Sequence, residues 1–342
     1  MANHIVSVLT QWHPQKDNLD WVLATVIATQ GSSYRKPGAM MLINSLGQYF
    51  GLVSGGCLES DIMRQARKCW LDGTQRHVVY DMQDEDDFAW KLGIGCGGRV
   101  DILLQPITAE NNYLELNTLL AKLNSAETVY YSQRLDLNES ENTCLDIAPD
   151  FFQRNQIYQT DESQCFIAKH NPLIRLAIFG GGVDAQPLAK LADVLGWQVK
   201  LFDERLSYAK ASYFPDKCHI IRDKYCELEP RLALASCNAV IVMNHNIMMD
   251  AEALKAAQIA EVPYIGILGP NHRTVRVLKA AGLTPQDFTG HVANPVGLAL
   301  GGELPESIAL AIIAEVHAHL HNVEPHTLNS FKELTACLQI TA

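Results

Sequence analysis

The sequence predicts an α/β protein in two parts. A C-terminal Rossmann-like, doubly wound parallel sheet is preceded by an α+β N-terminal domain. Three observations carry this. The 342 residues exceed one ordinary domain. From Leu173 onward, apolar strand-like runs alternate with stretches of helical period, the rhythm of a parallel sheet with right-handed crossovers. Before Leu173, β-rich runs are punctuated by glycine and proline turns. The domains are read as 1–168 and 173–325. Residues 168–172 (AKHNP) form a hinge, because Pro172 disfavours helix just before the next strand.

In chain order, residues 5–13 have the period of a short amphipathic helix, and WVLATVIATQ (21–30) is a strand ended by the loop GSSYRKPG (31–38). AMMLINS and QYFGLVS flank Leu46-Gly47 as a hairpin. Residues 57–71 read as a helix with Leu58, Ile62, Ala66, Cys69 and Trp70 on one face, stopped at Asp72-Gly73. RHVVYDM and VDILLQPI are strands, 112–124 is a helix and ETVYYSQRL a strand. The polar stretch 136–143 is a surface turn, and 109–168 is expected to complete the first sheet. In the second half, RLAIFGGG, QVKLFDE, HIIRD, AVIVMNHN and YIGILGP are strands. Helices are expected over 183–197, 230–235, 250–260, 272–281 and 305–320.

Composition excludes several classes. With 48% hydrophobic and 19% charged residues, the chain has enough apolar matter for packed cores. A formal net charge of −11 argues against nucleic acid as a partner. The first residues lack the pattern of a signal peptide, and no apolar run is long enough to span a bilayer, so a cytoplasmic protein without membrane contact is expected. The nine cysteines form no CxxC pair and are odd in number, which reads as free thiols. An acidic chain with this apolar content is expected to self-associate, as a homodimer.

Gly180, Gly182 and Ala185 fit G-x-G-x-x-[GA] between a strand and a helix, with Gly181 inside the turn. The first glycine allows the turn, the second admits a pyrophosphate, and the small third residue lets helix and strand pack. Free N–H groups at the helix start favour an anion. Asp203 ends the next strand, where an acidic residue would meet a ribose hydroxyl. Asn244 and His245 end a further strand, on the edge where open α/β sheets bind ligands. NAD(P) or another nucleotide fits this pattern; a fold that has lost its ligand fits it as well.

The first half carries two glycine-flanked thiols: Ser54-Gly55-Gly56-Cys57, and Gly95-Cys96-Gly97-Gly98. So many glycines do not suit a core strand; they suit close approach of a ligand. Cys57 opens the expected helix, which favours its thiolate, although Glu59 opposes this. Cys69 reads as a small apolar residue. Arg35 sits in GSSYRKPG, which is either an anion cradle or a solvated basic turn. The acidic run 84–87 has no diagnostic metal spacing, so no metal site and no catalytic residue is assigned.

These stretches resemble a known family. GSSYRKPGAMMLI, SGGCLES and DEDDFAWKLGIGCGGRVDILLQP look like the N-terminal domain of the XdhC/CoxI maturation factors. IFGGGVDAQPLAKLADVLGWQVKLFDER, VMNHN and NPVGLALGGELPESIALAIIAEV look like that family's Rossmann domain. The resemblance implies an accessory protein, more a cofactor chaperone than a turnover enzyme. It implies binding of the molybdenum cofactor, its sulfuration with a cysteine desulfurase, and its insertion into a molybdenum hydroxylase such as xanthine dehydrogenase. A nicotinamide-dependent oxidoreductase is the alternative. The sequence departs from the resemblance after Gly269, where Pro270, Asn271 and His272 stand before Arg273 in place of a serine and several cations. If one ligand serves both halves, the cysteine loops are expected to face the carboxyl ends of the Rossmann strands.

Overall fold

The computed structural model describes residues 3–56, 58–81, 98–136, 140–160 and 163–326. Cys57, Gly95, Cys96, Gly97 and the acidic run 84–87 lie outside the described residues. The chain divides into two compact units, Met1–Leu173 and Ile174–Ala342.

The first unit opens with helix α1 (Ile5–Trp12) and contains a five-stranded sheet of order β3-β2-β1-β5-β4. These strands are β1 (Trp21–Gln30), β2 (Met40–Asn44), β3 (Tyr49–Gly51), β4 (Arg76–Asp81) and β5 (Arg99–Ile107). All pairings are antiparallel. β1 is central and buried from Trp21 to Ile27. Its run of buried residues, polar only at Thr25, follows from cover on both faces, with alternate side chains going to opposite sides. Val22, Ala24 and Val26 pack with Ile62, Ala66 and Cys69 of helix α2 (Glu59–Asp72). Trp21 and Leu23 pack with Leu9 and Trp12 of α1 and with Leu116 and Leu119 of helix α3 (Leu116–Asn124). α2 ends where expected, on Gly73, whose φ of 67° and N–H bond to the Cys69 carbonyl make a left-handed cap.

Residues 109–168 do not complete that sheet. They form a second, four-stranded antiparallel sheet, β7-β6-β9-β8. Its strands are β6 (Val129–Arg134), β7 (Asn142–Leu145), β8 (Gln156–Gln159) and β9 (Gln164–His170). Ala168, Lys169 and His170, read from sequence as part of a hinge, are the end of β9 and pair with β6. A buried polar network ties the two sheets. Gln133 donates to Gln105 (2.7 Å) and Thr25 (3.2 Å), Gln105 and Asn142 exchange bonds of 2.9 Å, and Asn142 donates to the Tyr131 hydroxyl (2.7 Å). Such bonds must be made when the groups are buried, so they specify which strands face each other. The expected helix over 112–124 begins only at Leu116. Asn112–Glu115 take positive φ, with Leu114 buried and its carbonyl bonded to Tyr131.

The second unit holds six parallel strands in the order β12-β11-β10-β13-β14-β15. In chain order these are β10 (Arg175–Phe179), β11 (Gln198–Phe202), β12 (His219–Ile221), β13 (Ala239–Val242), β14 (Tyr264–Ile267) and β15 (His291–Ala293). This is the 3-2-1-4-5-6 order of a doubly wound dinucleotide fold. Leu176 and Ile178 of β10 face helices α4 (Ala185–Val194) and α8 (Pro305–Leu320). Ala177 and Phe179 face α6 (Ile247–Ile259) and α7 (Asn271–Ala281), the short α5 (Pro230–Ala233) lying between β12 and β13. Pro187 is tolerated in α4 because it lies in the first turn, where its missing N–H has no helical partner to lose. β15, three residues long and directly after Gly290, went unread in the sequence.

Candidate functional site

The switch point of the parallel sheet lies where β10 is flanked by β11 and β13. Three glycines follow β10, and the structure separates their roles. At Gly180 (φ 111°), an added Cβ would lie 2.5 Å from the Met243 carbonyl oxygen. At Gly181 it would lie 2.4 Å from the Ala209 Cβ. Packing therefore forbids a side chain at both. At Gly182 the added atom would meet only the Asp184 carboxylate, at 2.9 Å. Fold packing does not require that glycine, and the space beside it is open to a ligand. No side chain caps α4, so the positive end of its dipole is available to an anion.

Asp203 is fully buried behind this loop. Its Oδ2 accepts from the Gly181 N–H (2.7 Å) and Arg205 Nη2 (2.7 Å), and its Oδ1 from the Arg205 amide (3.0 Å) and Nε (2.9 Å). Burial alone would raise the carboxyl. The Arg205 side chain, the Gly181 N–H and the Arg205 N–H together outweigh it and hold Asp203 below the ordinary carboxylate value. Arg205 also stacks on Tyr208, 3.7 Å from the ring centre. Arg222 donates to the carbonyls of Asp203, Arg205 and Ala209, which fixes this segment against Gly181.

Asn244 and His245 part company at the end of β13. Asn244 is buried, its N–H and Nδ2 both donating to Asp250 Oδ1 (3.0 Å each) and its Oδ1 accepting from the Tyr225 hydroxyl (2.8 Å). Asp250 is also ion-paired with Arg273, the cation that follows the departure at 270–272. His245 takes φ 58° and stays largely exposed. Its Nε2 lies 2.6 Å from Asp184 Oδ2. That bond raises the imidazole pKa, with burial opposing. The structure thus brings Gly182, Asp184 and His245 together at one mouth. Asp184 and Arg205 were missed in the sequence, each two positions beyond a residue that was singled out.

In the first unit, Ser54 is buried, and the turn winds around its hydroxyl. Ser54 Oγ donates to Glu59 Oε2 (2.6 Å) and accepts from the N–H groups of Gly56 (3.3 Å) and Leu58 (3.2 Å). Glu59 begins α2, two residues after the expected start at Cys57, and is itself buried, with Oε1 lacking a hydrogen-bond partner. Gly56 has φ 101° and open space where a Cβ would be. A Cβ at Gly55 would lie 3.4 Å from the Tyr34 ring, and one at Gly98 would be 2.1 Å from the Ser32 carbonyl oxygen. The described parts of both glycine-cysteine motifs therefore meet the same loop, 31–34. Cys69 is buried against β5, and burial pushes its thiol up to about 11, the chemistry of a packing residue. Arg35 lines a cavity with His4, Lys169 and His170.

Among the described residues there is no cluster of three or more His, Cys, Asp or Glu side chains fit to hold a metal ion, and no helix long and apolar enough to cross a membrane.

Comparison with known proteins matches both halves. Residues 176–316 match the XdhC Rossmann domain, and residues 15–81 match the XdhC and CoxI family. A relative from Bacillus subtilis (strain 168), named as a probable xanthine dehydrogenase subunit, is 31% identical over 313 residues, covering 88% of this chain and 93% of its own. The molybdenum cofactor insertion chaperone PaoD of Escherichia coli (strain K12) is 26% identical over 310 residues, covering 90% of this chain and 86% of its own. A crystal structure from Bacillus halodurans, described as a xanthine dehydrogenase, superposes with a TM-score of 0.78 at 30% identity, over 97% of this chain and 99% of that one.

Proposed function

The chain belongs to the XdhC and CoxI family, and from that premise we propose that it is a maturation factor for a molybdenum hydroxylase of the xanthine dehydrogenase type. It binds the molybdenum cofactor, assists its sulfuration by a cysteine desulfurase, and assists its insertion into the hydroxylase. The observation that carries this reading is the match, across nine-tenths of the chain, to a relative named for cofactor insertion.

The site chemistry supports it. The cofactor has a phosphate tail and a soft metal–dithiolene end. The uncapped start of α4 beside Gly182 suits the phosphate. Ser54, Gly55, Gly56 and Cys57, with Gly95, Cys96, Gly97 and Gly98, bring thiols among glycines, a composition that suits a soft metal. The unpartnered Glu59 oxygen beside Ser54 suits a donor N–H, which a pterin ring carries. The parallel sheet also supports a nucleotide ligand, and NAD(P) is the second reading. Against NAD(P) stands Asp203, whose oxygens are occupied by Gly181 and Arg205 rather than offered to a ribose.

The test is a titration of purified protein with cofactor released from a hydroxylase, and separately with NAD and CTP, followed by reconstitution of apo-hydroxylase. Cofactor binding and a faster reconstitution are expected for the native chain, and both should fall in Gly182→Val and Cys57→Ala. Tight NAD binding without cofactor binding would establish the second reading instead.

A further inference from the structure

We infer that the first unit carries a separate anion site, the cavity lined by His4, Arg35, Lys169 and His170, and that it takes a phosphate group, free or borne on a small organic molecule. The cavity is about 210 Å3 and is completed by Asn3 and Asn171 among others. No carboxylate lines it, although the chain as a whole has 38 acidic residues against 27 basic ones. It is a local inversion of the protein's charge. Among the described residues, neither the Arg35 guanidinium nor the Lys169 ammonium has a hydrogen-bond or ion-pair partner. Arg35 is half-buried, so it has given up water without a counter-charge in return. A guanidinium fork and an ammonium are the pair that binds phosphate oxygens best.

Two further features converge. His170 is 7% exposed, and its Nε2 has no hydrogen-bond partner. A buried polar atom left in that state costs free energy, which a ligand oxygen would recover. His4 caps α1 by accepting the Val6 N–H on Nδ1 (3.3 Å), so in the neutral ring its proton sits on Nε2 and can be donated. The same helix end, at His4 and Ile5, turns the positive end of its dipole to the cavity. Burial lowers the pKa of His4, and burial with His4 beside it takes His170 to about 4, so both rings are neutral at neutral pH rather than cationic.

The cavity is also built, not incidental. Asn155 clamps its two cationic sides together, donating to the Pro37 carbonyl (3.2 Å) and accepting the Lys169 N–H (2.8 Å). Gly38 admits that clamp, since a Cβ there would lie 2.6 Å from Asn155 Nδ2.

The test is protection of Lys169 from a limiting dose of an amine-acylating reagent, read by peptide mass spectrometry, with the exposed Lys68 as internal reference. The probes are inorganic phosphate and glycerol 3-phosphate, each to about 10 mM, which reaches any site of millimolar affinity. Both the native chain and Gly182→Val should show protection by one probe or both, while Arg35→Ala should need about tenfold more ligand. Arg35→Lys, which keeps the charge and loses the fork, should fall between and guards against a folding defect in Arg35→Ala. Protection by glycerol 3-phosphate alone would assign an organic phosphate, and equal protection would assign free phosphate. Absence of protection by either probe in the native chain, or undiminished protection in Arg35→Ala, overturns the site.

Discussion

Two loops in this protein place glycines just before a helix, and they are built in opposite ways. The Gly180–Gly182 loop gives its first two N–H groups to the Phe202 carbonyl and to Asp203, and it leaves the start of α4, beside Gly182, without a side-chain cap. The Ser54–Gly56 loop is wound around the Ser54 hydroxyl, which takes two N–H groups near the start of α2, and a buried glutamate follows. The first is an anion receptor. The second gives the Gly56 and Leu58 N–H groups to Ser54 and adds a buried carboxylate with an unpartnered oxygen, which favours a donor or a soft metal, whereas the carboxylate at the first, Asp184, is paired with His245. Glycine motifs of similar look thus imply different ligands, and the side chains bonded around each loop decide which.

The glycines carry the largest expected effects. Gly180→Val is expected to unfold the second unit, because the branched side chain must displace the β13 backbone at a φ that valine avoids. Gly182→Val should melt like the native chain yet lose phosphate-bearing ligands, including nucleotides. A matched pair of melting curves and ligand titrations checks this, and equal melting of the two variants would refute the division of roles.

Asp203→Asn comes next. It leaves Arg205 without its counter-charge and is expected to cost about 3 kcal/mol in urea unfolding. The pH dependence has a definite sign. The folded carboxyl lies below its unfolded value, so its contribution is complete above the unfolded pKa of about 3.9 and is lost as pH falls through the lower folded value. The variant's deficit should therefore shrink in acid.

Ser54→Ala should cost about 1–2 kcal/mol, from lost N–H partners and a Glu59 left with neither oxygen bonded. Iodoacetamide labelling sharpens the same region. Cys57 is expected to react faster than Cys69, whose burial keeps it protonated, and added molybdenum cofactor should slow Cys57 alone. Equal rates for both thiols would count against a ligand role for Cys57.

The smallest effect is at His245. Its folded pKa is raised, so its pairing with Asp184 stabilises fully below the unfolded value of about 6.5 and fades as pH rises through the folded value. The imidazole is largely exposed, so His245→Gln should differ from the native chain by under about 1 kcal/mol, and only on the acid side. A constant difference from pH 5 to 9 would assign His245 a packing role instead.

What the sequence determined by itself is what depends on neighbours along the chain. The strand–helix alternation after Leu173 is a local period, and it predicts the doubly wound sheet and the glycine loop at its first turn. The stop of α2 at Gly73 is equally local, as is the apolar character of Cys69. Only the tertiary structure distinguished Gly182 from Gly180 and Gly181, since Met243 and Ala209, which forbid a side chain at those two, come from later crossings of the sheet. It alone turned Asn244 and Asp203 inward, by supplying Asp250, Tyr225 and Arg205 as partners. It alone set 129–170 into a sheet of its own, through glutamine and asparagine bonds that no period announces. The cavity of Arg35, Lys169 and the two histidines belongs to the same class. Its cations are far apart in sequence and are joined through Asn155. Periodicity records which face of an element is buried; it carries no information about which distant polar group will meet it, because that is settled by packing between elements.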